Sequence, residues 1–238
     1  MNDHDNTVAF REAFNRIESY LRHRGNYDNW KDFSSILKDQ AKSDSNLRRF
    51  VDELDAMREL RNLLVHREGV DKEPIANPNP VTIERLSEIY KELTHPPTVE
   101  TIMIKNVSIT NSGRLLSQEL QLMQEKCFTV LPVLEDQRII AVLSEYSLLK
   151  WCSDKLEADG AVLEARLVGD IHDYLDIPNM NDSSAAYAFV PRRATISEVR
   201  ELFDKALRNN IRLNAVFVTE NGKHTEGLLG LITSWDIT

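Results

Sequence analysis

The stretch Leu228–Ile237 reads LLGLITSWDI, and it decides how the second half of the chain is interpreted. Its apolar run predicts a buried strand over Leu228–Thr233. A hydroxyl, Thr233, and a carboxylate, Asp236, follow at the point where this strand ends. Upstream, the apolar residues of Asn214–Thr219 predict a second strand. Backbone N–H groups are available at such a strand end.

An amphipathic helix is predicted before these strands, over Ile196–Asn209. Thr195 and Glu198 have the T-x-x-E spacing of a capping box, in which each side chain bonds the backbone N–H of the other residue. This spacing fixes the predicted start of the helix. Between the two strands, Asn221–Gly222 predicts a tight turn. The unit therefore runs helix, strand, turn, strand.

The same order of elements occurs once more upstream. It consists of a helix over Gly113–Lys126, strands over Thr129–Leu134 and Ile139–Leu143, and a second helix over Glu145–Lys155. The two occurrences lie roughly 85–90 residues apart. This repetition indicates two copies of one unit, each covering the apolar side of the other.

These residues resemble the CBS domain, whose fingerprint is a strand, a small residue, two apolar residues, Thr-x-x-Asp and an apolar residue. The second copy carries it as GLITSWDI, whereas the first copy has Ser144 and Ser147 where Thr and Asp are usual. The resemblance covers residues 98–238, with one motif at about 99–158 and the other at about 166–238. It implies an α+β CBS-domain pair.

The resemblance also implies a regulatory adenine nucleotide: ATP, ADP, AMP or S-adenosylmethionine. Asp236 would accept hydrogen bonds from the ribose hydroxyls, and Thr233 would donate to a phosphate. Arg192 and Arg193 would reach phosphates on this interpretation, or lie in solvent as ordinary surface charges. An alternative remains open, in which the pair is a dimerisation scaffold without a ligand. The predicted pocket walls are Val190, Leu213, Asn214 and Ala215.

Residues 1–97 have helical spacing throughout and end at the sequence THPPT, whose two prolines favour an extended linker. Gly69–Pro80 is predicted to be a loop, because it contains three prolines. The expected arrangement is a bundle of four antiparallel helices. These helices are predicted over Val8–Arg24, Trp30–Lys42, Asp44–Arg67 and Thr82–Leu93.

The third of these helices carries Arg61, Asn62 and His66, which look like the R-x4-H motif of HEPN domains. Asn62 and His66 are four residues apart and share one helical face. The resemblance implies a homodimer in which the motifs of two protomers form a metal-independent endoribonuclease. His66 would transfer protons and Arg61 would stabilise charge on the phosphate. The alternatives are a HEPN fold without activity, or an unrelated bundle in which these side chains pair with acidic neighbours.

Charge and cysteine content limit the partners and the location. The net charge is −9, with about −3 in residues 1–97 and −6 in the remainder, so neither part offers a broad basic surface for duplex DNA. The apolar runs are too short to span a membrane, and the polar start predicts no signal peptide. Two cysteines form no metal motif, and a reducing, cytoplasmic setting is expected.

The sequence therefore predicts an α-helical, HEPN-like bundle over residues 1–97, followed by a CBS-domain pair over 98–238. The predicted function is regulatory: an adenine nucleotide bound to the pair controls the helical domain, which is a candidate metal-independent endoribonuclease acting on RNA. The alternative is a non-catalytic dimerisation or protein-interaction module with no ligand.

Overall fold

The computed structural model of the chain describes residues 3–66, 76–158, 166–176 and 187–237, with the backbone alone at 3–5, 65–66 and 156–158. The chain divides into two compact units, Met1–Pro97 and Thr98–Thr238, which we call the front unit and the tail unit. Within the described residues, no helix combines the length and apolar character that crossing a membrane requires.

The front unit is helical, and short polar side chains begin three of its helices. Asp32 accepts from the Ser35 amide and Asp44 from the Leu47 amide, both at 2.9 Å. Asn79 accepts from the Val81 amide at 3.0 Å. The described helices are α1 (Asp3–Arg24), α2 (Phe33–Ala41), α3 (Ser45–Arg48), α4 (Val51–His66) and α5 (Pro80–Thr94).

The prediction of a single helix over Asp44–Arg67 is wrong, because the chain turns at Arg49 and Phe50 between α3 and α4. The Phe50 amide bonds to the Leu47 carbonyl at 2.9 Å, a tighter turn than the α-helix makes. Leu47 and Phe50 are both buried on the same side of the bundle, so the apolar spacing continues across the break. Spacing alone therefore could not reveal it.

The apolar face of α1 forms the centre of the front unit. The apolar stripe on this face is buried and packs with side chains of the other helices in one cluster. Arg85 of α5 makes a two-pronged contact to the Glu53 carboxylate on α4, at 2.8 and 3.1 Å. The buried stripe consists of Phe10, Phe14, Ile17 and Leu21.

The described residues of the tail unit form two small sheets. Strand β1 pairs antiparallel with β2, whereas β3 runs parallel to β4, which pairs antiparallel with β5. Short 3₁₀ turns lie at Val99–Thr101, Val168–Tyr174 and Ser234–Ile237. The larger elements are α6 (Leu116–Lys126), β1 (Val130–Glu135), β2 (Arg138–Ser144), α7 (Glu145–Ala158), β3 (Tyr187–Pro191), α8 (Ile196–Arg208), β4 (Ala215–Thr219) and β5 (Gly230–Ile232).

The predicted repeat is visible in the strand pairing. Leu131 of β1 faces Leu143 of β2, just as Val216 of β4 faces Ile232 of β5. The capping box at the start of α8 is confirmed, with Thr195 and Glu198 bonding each other's amides. The inner faces of both sheets share one apolar cluster. Its buried members are Ile139, Val142, Tyr187, Ala215, Phe217 and Leu231.

Two segments of the tail unit each pair with the copy that they do not directly precede in sequence. Residues 98–104, which we call crossing segment 1, precede the first copy but pair with the second, where Ile104 and Leu231 exchange backbone bonds at 2.9 and 3.1 Å. Residues 167–176, crossing segment 2, precede the second copy but pair with the first, where Val142 and Asp176 exchange bonds at 2.8 and 3.1 Å. Each copy therefore completes its structure with a segment from the other.

The β4–β5 connection follows the predicted turn. Gly222 has a φ of +78°, and a Cβ atom there would lie 2.9 Å from the Pro191 nitrogen. Glu226 closes the same loop by accepting from the Asn221 backbone amide at 2.7 Å and its side-chain amide at 2.9 Å. These hydrogen bonds, led by the backbone one, lower the pKa of Glu226 to about 2.

We expect Phe217→Ala to lower the free energy of unfolding by about 3–5 kcal/mol, because it empties the centre of the shared cluster. Phe217 is fully buried, and its ring lies 5.6 Å from that of Tyr187 and 5.4 Å from that of Phe189. Urea unfolding of the full chain measures the loss. The matched control is Leu149→Ala at an exposed position, which should change stability by about 0.5 kcal/mol or less. Equal losses in the two variants would contradict this packing.

The loop carboxylate predicts a defined pH dependence. Since the pKa of Glu226 falls from 4.5 to about 2 on folding, its contribution is fully present above pH 4.5 and disappears as the pH falls towards about 2. Wild type should therefore be more stable than Glu226→Gln at neutral pH, and the difference should shrink between pH 4.5 and 2. Urea midpoints across this range test it, with Glu220→Gln as the control. A difference that stays constant with pH would be the contrary result.

Candidate functional site

A hydroxyl and a carboxylate meet in the turn after β5. The Asp236 Oδ2 atom accepts from the Thr233 backbone amide at 2.7 Å and from the Thr233 hydroxyl at 2.8 Å. Both residues are half-buried, so the turn is open to solvent. No described residue donates a hydrogen bond to the second oxygen of Asp236. Among the described residues, the turn thus presents one carboxylate oxygen without a donor, together with a hydroxyl that can rotate from Asp236 towards another acceptor.

The small residue ahead of this turn has a packing role. Gly230 lies against crossing segment 1, and a Cβ atom there would come within 2.7 Å of the Met103 sulfur. The absence of a side chain lets Ile104 pair with Leu231, two residues before Thr233. This close approach is the physical reason for a small residue at this point of the motif.

Three of the predicted wall residues lie at the same end of the sheet as Thr233. Ile232 faces Val216, so Thr233 follows beside Ala215, and Leu213 and Asn214 lead into that strand end. Tyr187 of β3 pairs with Ala215 on the other side of β4. The fold therefore brings Thr233, Asp236 and the start of β4 together.

Val190 and the two arginines lie elsewhere. Val190 pairs with Val218 and is buried in the core, about 10 Å along β3 from Tyr187. Arg192 follows the far end of β3 and forms an ion pair with Glu100. It lines a separate pocket of about 320 Å³ together with Arg193. Arg192 and Arg193 therefore do not face Thr233, and the expectation that they reach a phosphate there is wrong.

A cleft of about 440 Å³ opens beside the turn. Leu213 and Ser234 lie on its rim, whereas Thr233 and Asp236 are not part of its lining. The sequence interpretation missed its two cations. Arg212 lines the cleft directly before Leu213, and Arg200 donates to the Ile237 carbonyl at 2.7 Å. Arg200 is a polar residue of the amphipathic helix α8, and its position in that pattern does not indicate a contact with Ile237.

The equivalent turn of the first copy is built differently. Ser144 and Ser147 occupy the positions of Thr233 and Asp236, and they bond each other: the Ser144 amide donates to the Ser147 hydroxyl at 2.8 Å, and the Ser147 amide donates to the Ser144 hydroxyl at 3.0 Å. Both serines are almost fully buried. The carboxylate of Asp176 accepts from the Ser144 hydroxyl at 2.6 Å. The sequence interpretation noticed the missing carboxylate at Ser147 but not Asp176, which comes from a different segment.

The front-unit motif lies in the second half of α4. Arg61 is 4.0 Å from the Glu18 carboxylate of α1, and its guanidinium also donates to the Asn62 side chain at 3.4 Å. Glu18 is the closer partner of Arg22, at 2.7 Å, so it neutralises Arg61 only in part. His66 is the last residue of α4, and its side chain lies outside the described residues. The side chains of Arg61 and Asn62 are both half-buried.

Comparison with known proteins identifies part of the tail unit. A family model described as "CBS domain" matches residues 176–238, the stretch that contains β3, α8, β4, β5 and the Thr233–Asp236 turn. Residues 176–238 are a CBS domain. No curated protein is similar enough in sequence to match the chain.

Several solved structures resemble part of the chain at low identity. CBSX2 in complex with AMP is 22% identical over 59% of this chain and 92% of its own, with a TM-score of 0.42. The AcuB protein from Vibrio cholerae, a putative acetoin utilization protein, is 14% identical over 58% and 85%, with a TM-score of 0.43. The CBS domain pair of protein MJ0100, in complex with 5'-methylthioadenosine and S-adenosyl-L-methionine, is 14% identical over 59% and 91%, with a TM-score of 0.41.

The described residues contain no cluster of three or more His, Cys, Asp or Glu side chains with the arrangement of a metal site.

Proposed function

We propose that the CBS domain binds an adenine nucleotide at the turn after β5 and that this binding regulates the front unit. The observation that carries the proposal is the free oxygen of Asp236 beside the hydroxyl of Thr233, at a half-buried turn. A carboxylate oxygen can accept from a ribose hydroxyl, and a threonine hydroxyl can donate to a phosphate.

The start of β4 supplies the remaining contacts in this proposal. Leu213 offers apolar surface to a purine ring, and the backbone of Asn214 and Ala215 offers groups for its polar edge. Arg212, which is exposed and adjacent to Leu213, is a cation within the same neighbourhood for a phosphate. The bound molecules of CBSX2 and of the MJ0100 pair make AMP and S-adenosylmethionine the natural first probes.

For the front unit, we propose a metal-independent endoribonuclease formed by two protomers. Arg61 and Asn62 lie on the last turns of α4, and His66 ends that helix, so all three belong to one continuous stretch of backbone. The Arg61 guanidinium, held only loosely by Glu18, can turn to a phosphate. A nucleotide would regulate the reaction if it binds two arrangements of the dimer with different affinities.

Nucleotide binding predicts a ligand-dependent thermal shift. With AMP, ADP, ATP or S-adenosylmethionine at about 100 times its Kd, binding adds about 2.7 kcal/mol, which should raise the unfolding midpoint of the full chain by several degrees. Asp236→Ala and Thr233→Val should abolish or strongly reduce the shift, since they remove the acceptor and the donor. Asp173→Ala, at an exposed aspartate outside this cleft, is the matched control and should keep it. No shift with any of these ligands would favour a scaffold without a ligand.

The nuclease predicts RNA cleavage in EDTA. Incubating the full chain with a structured RNA should give products, and His66→Ala should lower the rate by about 100-fold or more, because a proton-transfer group is lost. Arg61→Lys should also slow the reaction, since lysine keeps the charge but not the planar fork. His95→Ala, at an exposed histidine of the same unit, is the control. Cleavage that survives His66→Ala would remove this assignment and leave the protein-interaction alternative.

A further inference from the structure

The two crossing segments place different residues beside the two turns. Ile104 pairs with Leu231 near the turn of the second copy, and Asp176 pairs with Val142 near the turn of the first. The equivalent positions thus carry an apolar side chain in one copy and a carboxylate in the other. The residues with which they pair, Leu231 and Val142, each lie two positions before the turn residue, which is Thr233 in the second copy and Ser144 in the first.

The Asp176 carboxylate is engaged by two hydroxyls. Its Oδ2 atom accepts from the Ser144 hydroxyl at 2.6 Å and from the Tyr187 hydroxyl at 3.1 Å. In the second copy the corresponding hydroxyl, on Thr233, bonds within its own turn to Asp236. The hydroxyl therefore bonds a carboxylate of its own turn, Asp236, in the second copy, but a carboxylate of crossing segment 2, Asp176, in the first.

Both hydroxyls of the first turn are buried and hydrogen-bonded within the protein. Ser144 is 2% exposed and Ser147 is fully buried. The Ser147 hydroxyl accepts from the Ser144 amide and donates to the Ser144 carbonyl, both at 2.8 Å. Thr233 and Asp236 are both half-buried, and no described residue donates to the second Asp236 oxygen. The first turn consequently offers neither a free hydroxyl nor an accessible position for a ribose phosphate.

Tyr187 ties this arrangement to the core. It is 4% exposed and its ring stacks on Phe217. Burial, and next the negative charge of Asp176, raise the pKa of Tyr187 above its ordinary value, so its hydroxyl stays protonated and donates. A ligand that displaced Asp176 would leave this buried hydroxyl without its acceptor, which is unfavourable.

We propose that Asp176 closes the ligand position of the first copy, so that the tail unit binds one nucleotide per chain, at Thr233 and Asp236. The part that concerns stoichiometry rests on the proposed function, whereas the closed network of Ser144, Asp176 and Tyr187 exists without any ligand. The two parts are therefore tested by separate measurements on the full chain.

A double-mutant cycle tests the closed network. Asp176→Ala should lower the thermal unfolding midpoint by roughly 3–6 °C, because two hydroxyls lose a charged acceptor. Tyr187→Phe keeps the stacked ring and should cost less. If the groups form one network, the loss in the double variant is smaller than the sum of the single losses. Additive losses would overturn the proposal. The control is Asp173→Ala, at an exposed neighbouring aspartate. If Asp176→Ala does not fold, the cycle is measured with Asp176→Asn and Ser144→Ala instead of Asp176→Ala and Tyr187→Phe.

Calorimetric titration with AMP and with S-adenosylmethionine tests the stoichiometry. Wild type should bind one ligand per chain, Ser144→Ala should bind one with an affinity changed less than about two-fold, and Asp236→Ala should lose at least ten-fold. Two ligands per chain, with one lost in Ser144→Ala, would overturn the proposal. Flat titrations combined with non-additive stabilities would reject nucleotide binding while supporting the closed network, so the two failures are distinguishable.

Discussion

The exchange of the two crossing segments is the constraint on which the tail unit depends. Ile104 completes the edge of β5, and Asp176 completes the edge of β2, each through a reciprocal pair of backbone bonds. The same exchange recurs at the helix starts, where Thr98 bridges Thr195 and Leu115 bridges Leu167. Neither copy can complete its hydrogen bonding alone, since unpaired backbone groups are costly when buried. The two copies therefore fold as one unit around the shared apolar cluster.

This exchange also explains how the copies can differ in chemistry while sharing a backbone. Because each turn is completed by a segment from the other copy, a substitution in a crossing segment alters a turn far away in sequence. Asp176 and Ile104 occupy equivalent positions, yet only Asp176 supplies a charge to the neighbouring turn. The turn of the first copy is thereby buried, with its hydroxyls hydrogen-bonded inside the protein, whereas the turn of the second copy is only half-buried at Asp236.

The sequence predicted what depends on local pattern and missed what depends on distant contacts. The capping box at Thr195 and the turn at Gly222 could be predicted, because each depends on residues only a few positions apart in sequence. The break before α4 was not, since Leu47 and Phe50 keep the same apolar spacing across it. The placement of Arg192 required the strand register, because only the pairing of β3 with β4 shows that this residue lies at the opposite end from Thr233.

We propose that an adenine ring binds between the start of β4 and the turn after β5. Photo-cross-linking with an 8-azidoadenosine nucleotide, followed by peptide mapping, tests it most directly. We predict that the label attaches within residues 211–215 or 233–237, and that excess AMP competes it away. Labelling at Arg192–Arg193 or around Ser144, or labelling that AMP does not reduce, would contradict the account.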